Sequence, residues 1–230
     1  MKASAVSGLN RDTAAMKPIR KKFDRQVKAI QNDVLRMGAL VEKSCWLANQ
    51  ALVNREISVA DDVAKQEKKI DRLYRQIEVN CLQFIALQSP VATDLRLIGA
   101  LMQMIRDLER IGDYAEDLVD ISVKLFPYEP SEFLPEIEQM LLTTRSMLSM
   151  GLAALTNLDE EEGLRIQYRD DEVDQGYDKI YEALAAQKGE TTGSVEPLLL
   201  MMLTIRSIER MADHATNIGQ RVAYIVTGQR

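Results

Sequence analysis

An internal repeat constrains this chain more than any other feature. The segment Ile105-Arg106-Asp107-Leu108-Glu109-Arg110-Ile111-Gly112-Asp113 returns as Ile205-Arg206-Ser207-Ile208-Glu209-Arg210-Met211-Ala212-Asp213, at an offset of 100 residues. Upstream, Glu67-Lys68-Lys69-Ile70-Asp71 is answered by Asp170-Asp171-Glu172-Val173-Asp174 at an offset of 103. Two matched pairs, in one order and at nearly one spacing, describe a single folding unit used twice. Helical periodicity runs through both copies. Amphipathic stretches near 23–52, 58–87, 90–125, 135–155, 160–188 and 194–226 predict six helices, three in each half. Ser58 is placed to cap the second helix, and Pro90 suits the first turn of the third. Pro127, Pro130 and Pro135 mark the boundary between the halves, and Gly189 to Gly193 reads as a turn.

Composition agrees with an all-α chain. Aromatic residues are 5% while Leu, Ala, Ile, Met, Glu, Arg and Gln abound, a mixture that favours helices over sheets. With 29 basic and 35 acidic residues the net charge is -6, so no electrostatic footprint for nucleic acid is present. That charge also gives no attraction to an anionic membrane. The polar segment Met1 to Lys22 lacks the apolar core of a secretory signal and reads as a disordered tail. Leu198 to Leu203 is too short to span a bilayer. Cys45 and Cys81 form no metal-type pair and are expected as reduced core residues of a cytoplasmic protein. Met102, Met104, Met201 and Met202 are read as core, and Trp46, the sole tryptophan, as packed. His214, the one histidine, is expected at the surface or at an interface.

The chemistry resides in carboxylates. Glu67/Asp71, Glu109/Asp113, Asp170/Asp174 and Glu209/Asp213 are four i,i+4 acidic pairs, and like charges at that spacing repel by a few tenths of a kcal/mol. Around the third helix, Leu101, Ile105, Leu108, Gly112 and Ala115 form the core stripe. At about 100° per residue, Glu109 and Asp113 stand about 80° and 120° from its centre. The pairs therefore border a packing face, where two neighbouring helices can converge their acids on one cation. Oxygen-only ligands suit hard ions. A solvated rim, neutralised by the neighbouring Arg110 and Arg210, is the competing reading. No phosphate loop, nucleophile elbow or zinc-protease motif occurs, which argues against an enzyme.

Gln88-Ser89-Pro90-Val91-Ala92-Thr93-Asp94-Leu95-Arg96, followed by Asp107 to Asp113, resembles the signature of the PhoU family. Ile208 to Ile218, closing on Val226-Thr227-Gly228, is similar to that family's second-half motif. The resemblance spans about Phe23 to Gly228. It implies two tandem, pseudo-symmetric three-helix bundles with long antiparallel helices, at 23–126 and 133–228. It implies metal sites, holding iron, zinc, manganese or magnesium, on Glu67, Asp71, Glu109, Asp113, Asp170, Asp174, Glu209 and Asp213. It also implies a non-enzymatic negative regulator of phosphate uptake and phosphate-starvation signalling, an adaptor between a phosphate ABC transporter and a sensor histidine kinase. The partners would be the transporter's ATPase subunit, the kinase and a second copy in a homodimer, with the membrane reached only through them. Tyr114 and Asp117 replace the histidine and asparagine of the second half, so the first site is the more acidic and is expected to bind more tightly. A carboxylate-based metal-storage or redox protein is the alternative, weakened by the absence of an ExxH pair. A third reading is a structural adaptor whose acids bind nothing.

Overall fold

A computed structural model describes residues 9–186 and 194–229, with side chains from residue 21 onward. Among the described residues there are six α-helices and no strand. They are α1 (Leu9–Leu52), α2 (Ala60–Gln88), α3 (Ala92–Leu125), α4 (Leu134–Asn157), α5 (Glu160–Ala186) and α6 (Glu196–Thr227), with a single 3-10 turn (Ile57–Val59) before α2. The helices expected from periodicity are all present, and their ends show where local signals were outcompeted. Ser58 lies inside the 3-10 turn, so Val59 takes the N-cap of α2 without a side-chain bond. Asp61 and Asp62 in the first turn favour that positive helix end instead. Pro90 falls outside α3, which begins after Val91. Ser89 adopts the left-handed conformation that closes α2 and donates its N–H to the Ile85 carbonyl, so the chain needs two more residues to turn back. Pro135, by contrast, does open α4. Helix α1 starts at Leu9, not near Phe23, so residues 9–22 of the expected tail are helical. Ala14, Ala15, Lys17, Arg20, Lys21 and Lys22 in this stretch have high helix propensity. Residues 1–8 and the turn expected at Gly189 to Gly193 lie outside the described residues.

Helices α1, α2 and α3 pack on one another, as do α4, α5 and α6, and the halves join through α3 against α6 and α1 against α4. One continuous apolar cluster runs through both halves. The stripe Leu101, Ile105, Leu108, Gly112 and Ala115 is buried as the period requires, as are Val173, Ile180, Ile205 and Ile208 in the second half. Helices α3 and α6 run antiparallel, since Asp107 reaches Asn217 while Arg96, a few turns earlier, sits beside Gly228. Helices α5 and α6 approach so closely at Gly163 and Gly219 that a Cβ on Gly163 would lie 2.7 Å from the Gly219 carbonyl oxygen. The linker is pinned from both sides. The Arg55 guanidinium donates to the carbonyls of Phe126 and Tyr128, and the Tyr128 hydroxyl donates to Glu196 at 2.6 Å.

Cys45 and Cys81 are buried and unbonded, and burial pushes both thiols up to about 12. Met104 and Met201 are buried and Met102 and Met202 pack against the core. Trp46 is a correction: it is 44% exposed. Val34, Met37, Val41, Cys45 and Ala48 carry the inward stripe of α1, and position 46 falls about 100° away from Cys45 on the outward side. No helix among the described residues is long and apolar enough to cross a membrane.

Candidate metal centres

The antiparallel packing of α2 on α3 brings Glu67, Asp71, Glu109 and Asp113 together. Burial comes first in raising Glu67, to about 7 from the usual 4.5, and the charges of Asp113, Glu116, Asp71 and Glu109 add to it. Its Oε2 is buried without a hydrogen-bond partner and lies over Gly112, where an added Cβ would stand 3.4 Å from it. Burial, and then Asp113, also raise Glu109; Asp113 is raised by burial against the pull of Arg110. The outer acids hold arginines. Arg110 stands 3.2 Å from Asp113 and 3.6 Å from Glu109, and Arg75 stands 2.8 Å from Asp71.

The second half repeats the arrangement between α5 and α6. Burial, then Asp174 and Asp213, raise Asp170 to about 6, and its Oδ1 is buried and unpartnered. Burial followed by Asp213 raises both Asp174 and Glu209. Arg206 grips both oxygens of Glu209 at 2.9 Å, and Arg210 lies 3.5 Å from Asp213. All four predicted pairs thus converge, two by two, into two clusters on equivalent helix pairs.

Sequence reasoning missed Glu116. It follows Asp113 by three residues and Glu109 by seven, a continuation of the same helix face that could have been read directly. Burial raises it, with Asp120, Asp113 and Asp117 contributing, and it faces Glu67. The repeat places Thr216 there in the second half, so Glu116 as well as Asp117 makes the first cluster the more acidic. Asp117 is exposed and acts on Asp113 from outside.

Donor chemistry and position suit hard cations: carboxylate oxygens only, with a buried oxygen in each cluster that makes no hydrogen bond of good geometry, the Thr216 hydroxyl lying near that of Asp170. Among the described residues, however, no group of three or more His, Cys, Asp or Glu is arranged to hold an ion. The outer carboxylates of both clusters are instead paired with Arg110, Arg206 and Arg210. Those ion pairs are the feature the solvated-rim reading foresaw.

The other polar focus lies at the joint between the halves. Asp107 is 6% exposed, yet it projects from α3 toward α6. Its Oδ1 meets His214 Nδ1 at 2.9 Å and the Asn217 amide at 3.3 Å, and its Oδ2 lies 3.8 Å from Arg221 Nε. Tyr114 stacks on His214 with ring centroids 6.1 Å apart. The histidine is interfacial. A carboxylate standing between Met104 and Ile111 on an apolar stripe, where the repeat has Ser207, was the available sign.

The profile of the PhoU domain matches residues 34–122 and 137–222, one match for each half. The chain belongs to the PhoU family. The phosphate-specific transport system accessory protein PhoU homolog of a Synechocystis species is 52% identical over 93% of this chain and 95% of its own length. The phosphate-specific transport system accessory protein PhoU of Escherichia coli is 31% identical, over 93% of this chain and 88% of its own length. The crystal structure of PhoU from Pseudomonas aeruginosa superposes with a TM-score of 0.86 at 29% identity, covering 90% of this chain and all of that one. That of the phosphate transport system regulatory protein PhoU from Streptococcus pneumoniae gives 0.83 at 26% identity, covering 90% and 98%. This PhoU-family chain thus shares its fold with the two PhoU structures over nine-tenths of its length.

Proposed function

We propose that this protein is a cytoplasmic, non-enzymatic negative regulator of phosphate uptake and phosphate-starvation signalling. It acts as an adaptor between the ATPase subunit of a phosphate ABC transporter and a sensor histidine kinase, and it forms a homodimer. The observation that carries this reading is the likeness, over nearly the full length of both chains, to proteins named as phosphate-specific transport system accessory proteins. The test is genetic. Deleting the gene in cells with an intact transporter should raise phosphate accumulation and release starvation-gene expression in phosphate-rich medium. Unchanged accumulation and expression would overturn the reading.

The two carboxylate clusters are proposed as cation sites within the same reading. Support comes from the unpartnered Glu67 Oε2 and Asp170 Oδ1 and from the mutual repulsion that raises the acids around them. Elemental analysis of protein purified without chelator should show bound metal. Glu109→Ala/Asp113→Ala should remove the α2–α3 share and Glu209→Ala/Asp213→Ala the α5–α6 share. A metal-free wild-type protein would leave the acids as an arginine-paired rim and the adaptor standing without them.

A further inference from the structure

We infer that the groove between α1 and α2 is a docking surface for an acidic amphipathic helix of a protein partner. This deepens the adaptor reading and rests on it for the existence of such a partner. The groove has a volume of about 550 Å³ and is lined by Arg36, Leu40, Lys69, Arg72, Leu73 and Gln76. Three of the six are cations and none is an acid, in a chain whose net charge is -6. Arg36, Lys69 and Arg72 are exposed and make no ion pair among the described residues. Asp62, an acid on which Lys69 acts electrostatically, is already held by Lys65 at 2.9 Å. Helix α2 separates its charges: Glu67 and Asp71 turn toward α3, while Lys69 and Arg72 turn toward α1.

The fold does not require this charge. At the offset of 103 that relates the two copies, Lys69 becomes Glu172 and Arg72 becomes Gln175. The same helix packing forms in both halves, so the cations of the first are surplus to it. Charge complementarity selects an acidic occupant, and the shape selects a helix. The floor is apolar, with Leu73 buried and Leu40 partly buried between two antiparallel helices. That is a trough into which the ridge of a third helix fits, with acidic flanks meeting the cationic rim. Trp46 stands on the outward ridge of α1 that carries Arg36, Ala39 and Lys43, and exposed tryptophan is a frequent anchor in protein interfaces. Nucleic acid is disfavoured by the net charge and by the absence of aromatic side chains in the groove. An anionic bilayer is disfavoured by the same net charge and by a concave surface.

The probe is a synthetic helical peptide of about 18 residues with leucines at i, i+3, i+4 and i+7 and glutamates on the flanks. Titration into the full chain is followed by calorimetry and by the fluorescence of Trp46. Binding is expected for this peptide, weakening with salt, and not for the version with lysine in place of glutamate. Arg36→Glu/Lys69→Glu/Arg72→Glu should raise Kd roughly 10-fold or more. Should that variant fail to fold by circular dichroism, Lys69→Gln/Arg72→Gln, which removes the two α2 charges without reversing them, replaces it. No peptide binding, or binding indifferent to these changes, overturns the proposal, as does capture by phosphatidylserine vesicles in place of the peptide. In cells, the charge-reversed protein should lose starvation-gene repression while retaining wild-type metal content. Full repression by that variant overturns the groove as the adaptor's surface. If deleting the gene itself changes nothing, the adaptor reading fails, and the peptide titration still decides the groove.

Discussion

Glu67 is the residue whose replacement tests the physical picture of the carboxylate clusters most directly. Its carboxyl group is raised from 4.5 to about 7, chiefly by burial and then by Asp113, Glu116, Asp71 and Glu109. At about 1.4 kcal/mol per pH unit, that displacement corresponds to roughly 3 kcal/mol of disfavoured charge. The group is only partly buried, and screening by solvent reduces this to the order of 1–2 kcal/mol. The sign follows from linkage. The folded protein holds this proton more tightly than the unfolded chain does. The contribution therefore favours folding below about pH 4.5 and is lost as the pH rises through about 7. Glu67→Gln keeps the shape and removes the charge. In the presence of chelator at pH 8 the variant should be more stable than wild type by about 1–2 kcal/mol, or roughly 3–6 °C in Tm. At pH 4.5 the two should coincide. Urea unfolding and thermal melts across that range measure both. A variant less stable than wild type at pH 8, or a difference independent of pH, would refute the reasoning. Adding a divalent cation should then stabilise wild type more than Glu67→Gln, which keeps only the α5–α6 cluster complete.

Three further outcomes follow from other parts of the molecule. Asp107→Ala leaves His214 and Arg221 without their buried partner at the α3–α6 joint and should cost about 2–4 kcal/mol in urea unfolding; a loss under about 0.5 kcal/mol would mean the network is not structural. Gly163→Ala places a Cβ 2.7 Å from the Gly219 carbonyl oxygen and should cost about 2–3 kcal/mol despite the better helix propensity of alanine, as read by Tm; an unchanged or raised Tm would refute the close approach of α5 and α6. Cys45 and Cys81, with thiols pushed up to about 12, should react with a disulfide reagent at pH 8 only as fast as the protein opens, and fast labelling of folded protein would contradict their burial.

The sequence by itself determined six helices, their pairing into two equivalent halves and the rim position of the acids. Each of these follows from a period or an offset that neighbouring residues carry along one chain. The stripe Leu101, Ile105, Leu108, Gly112 and Ala115 is the clearest case, because helical geometry alone fixes which of those residues share a face. Helix ends were less legible: Ser58 lost the cap to a 3-10 turn, and Pro90 fell outside α3 once Ser89 had turned left-handed. Tertiary structure alone decided which oxygens are buried and which are claimed by arginine. Glu109 and Glu67 look alike on a helical wheel, yet one meets Arg110 and the other faces Gly112 with an unpartnered oxygen. It also set Asp107 against His214, across 107 residues of chain, because the antiparallel packing of α3 on α6 places them side by side. A period records what lies on one helix; only the packing of a second helix shows what that face meets.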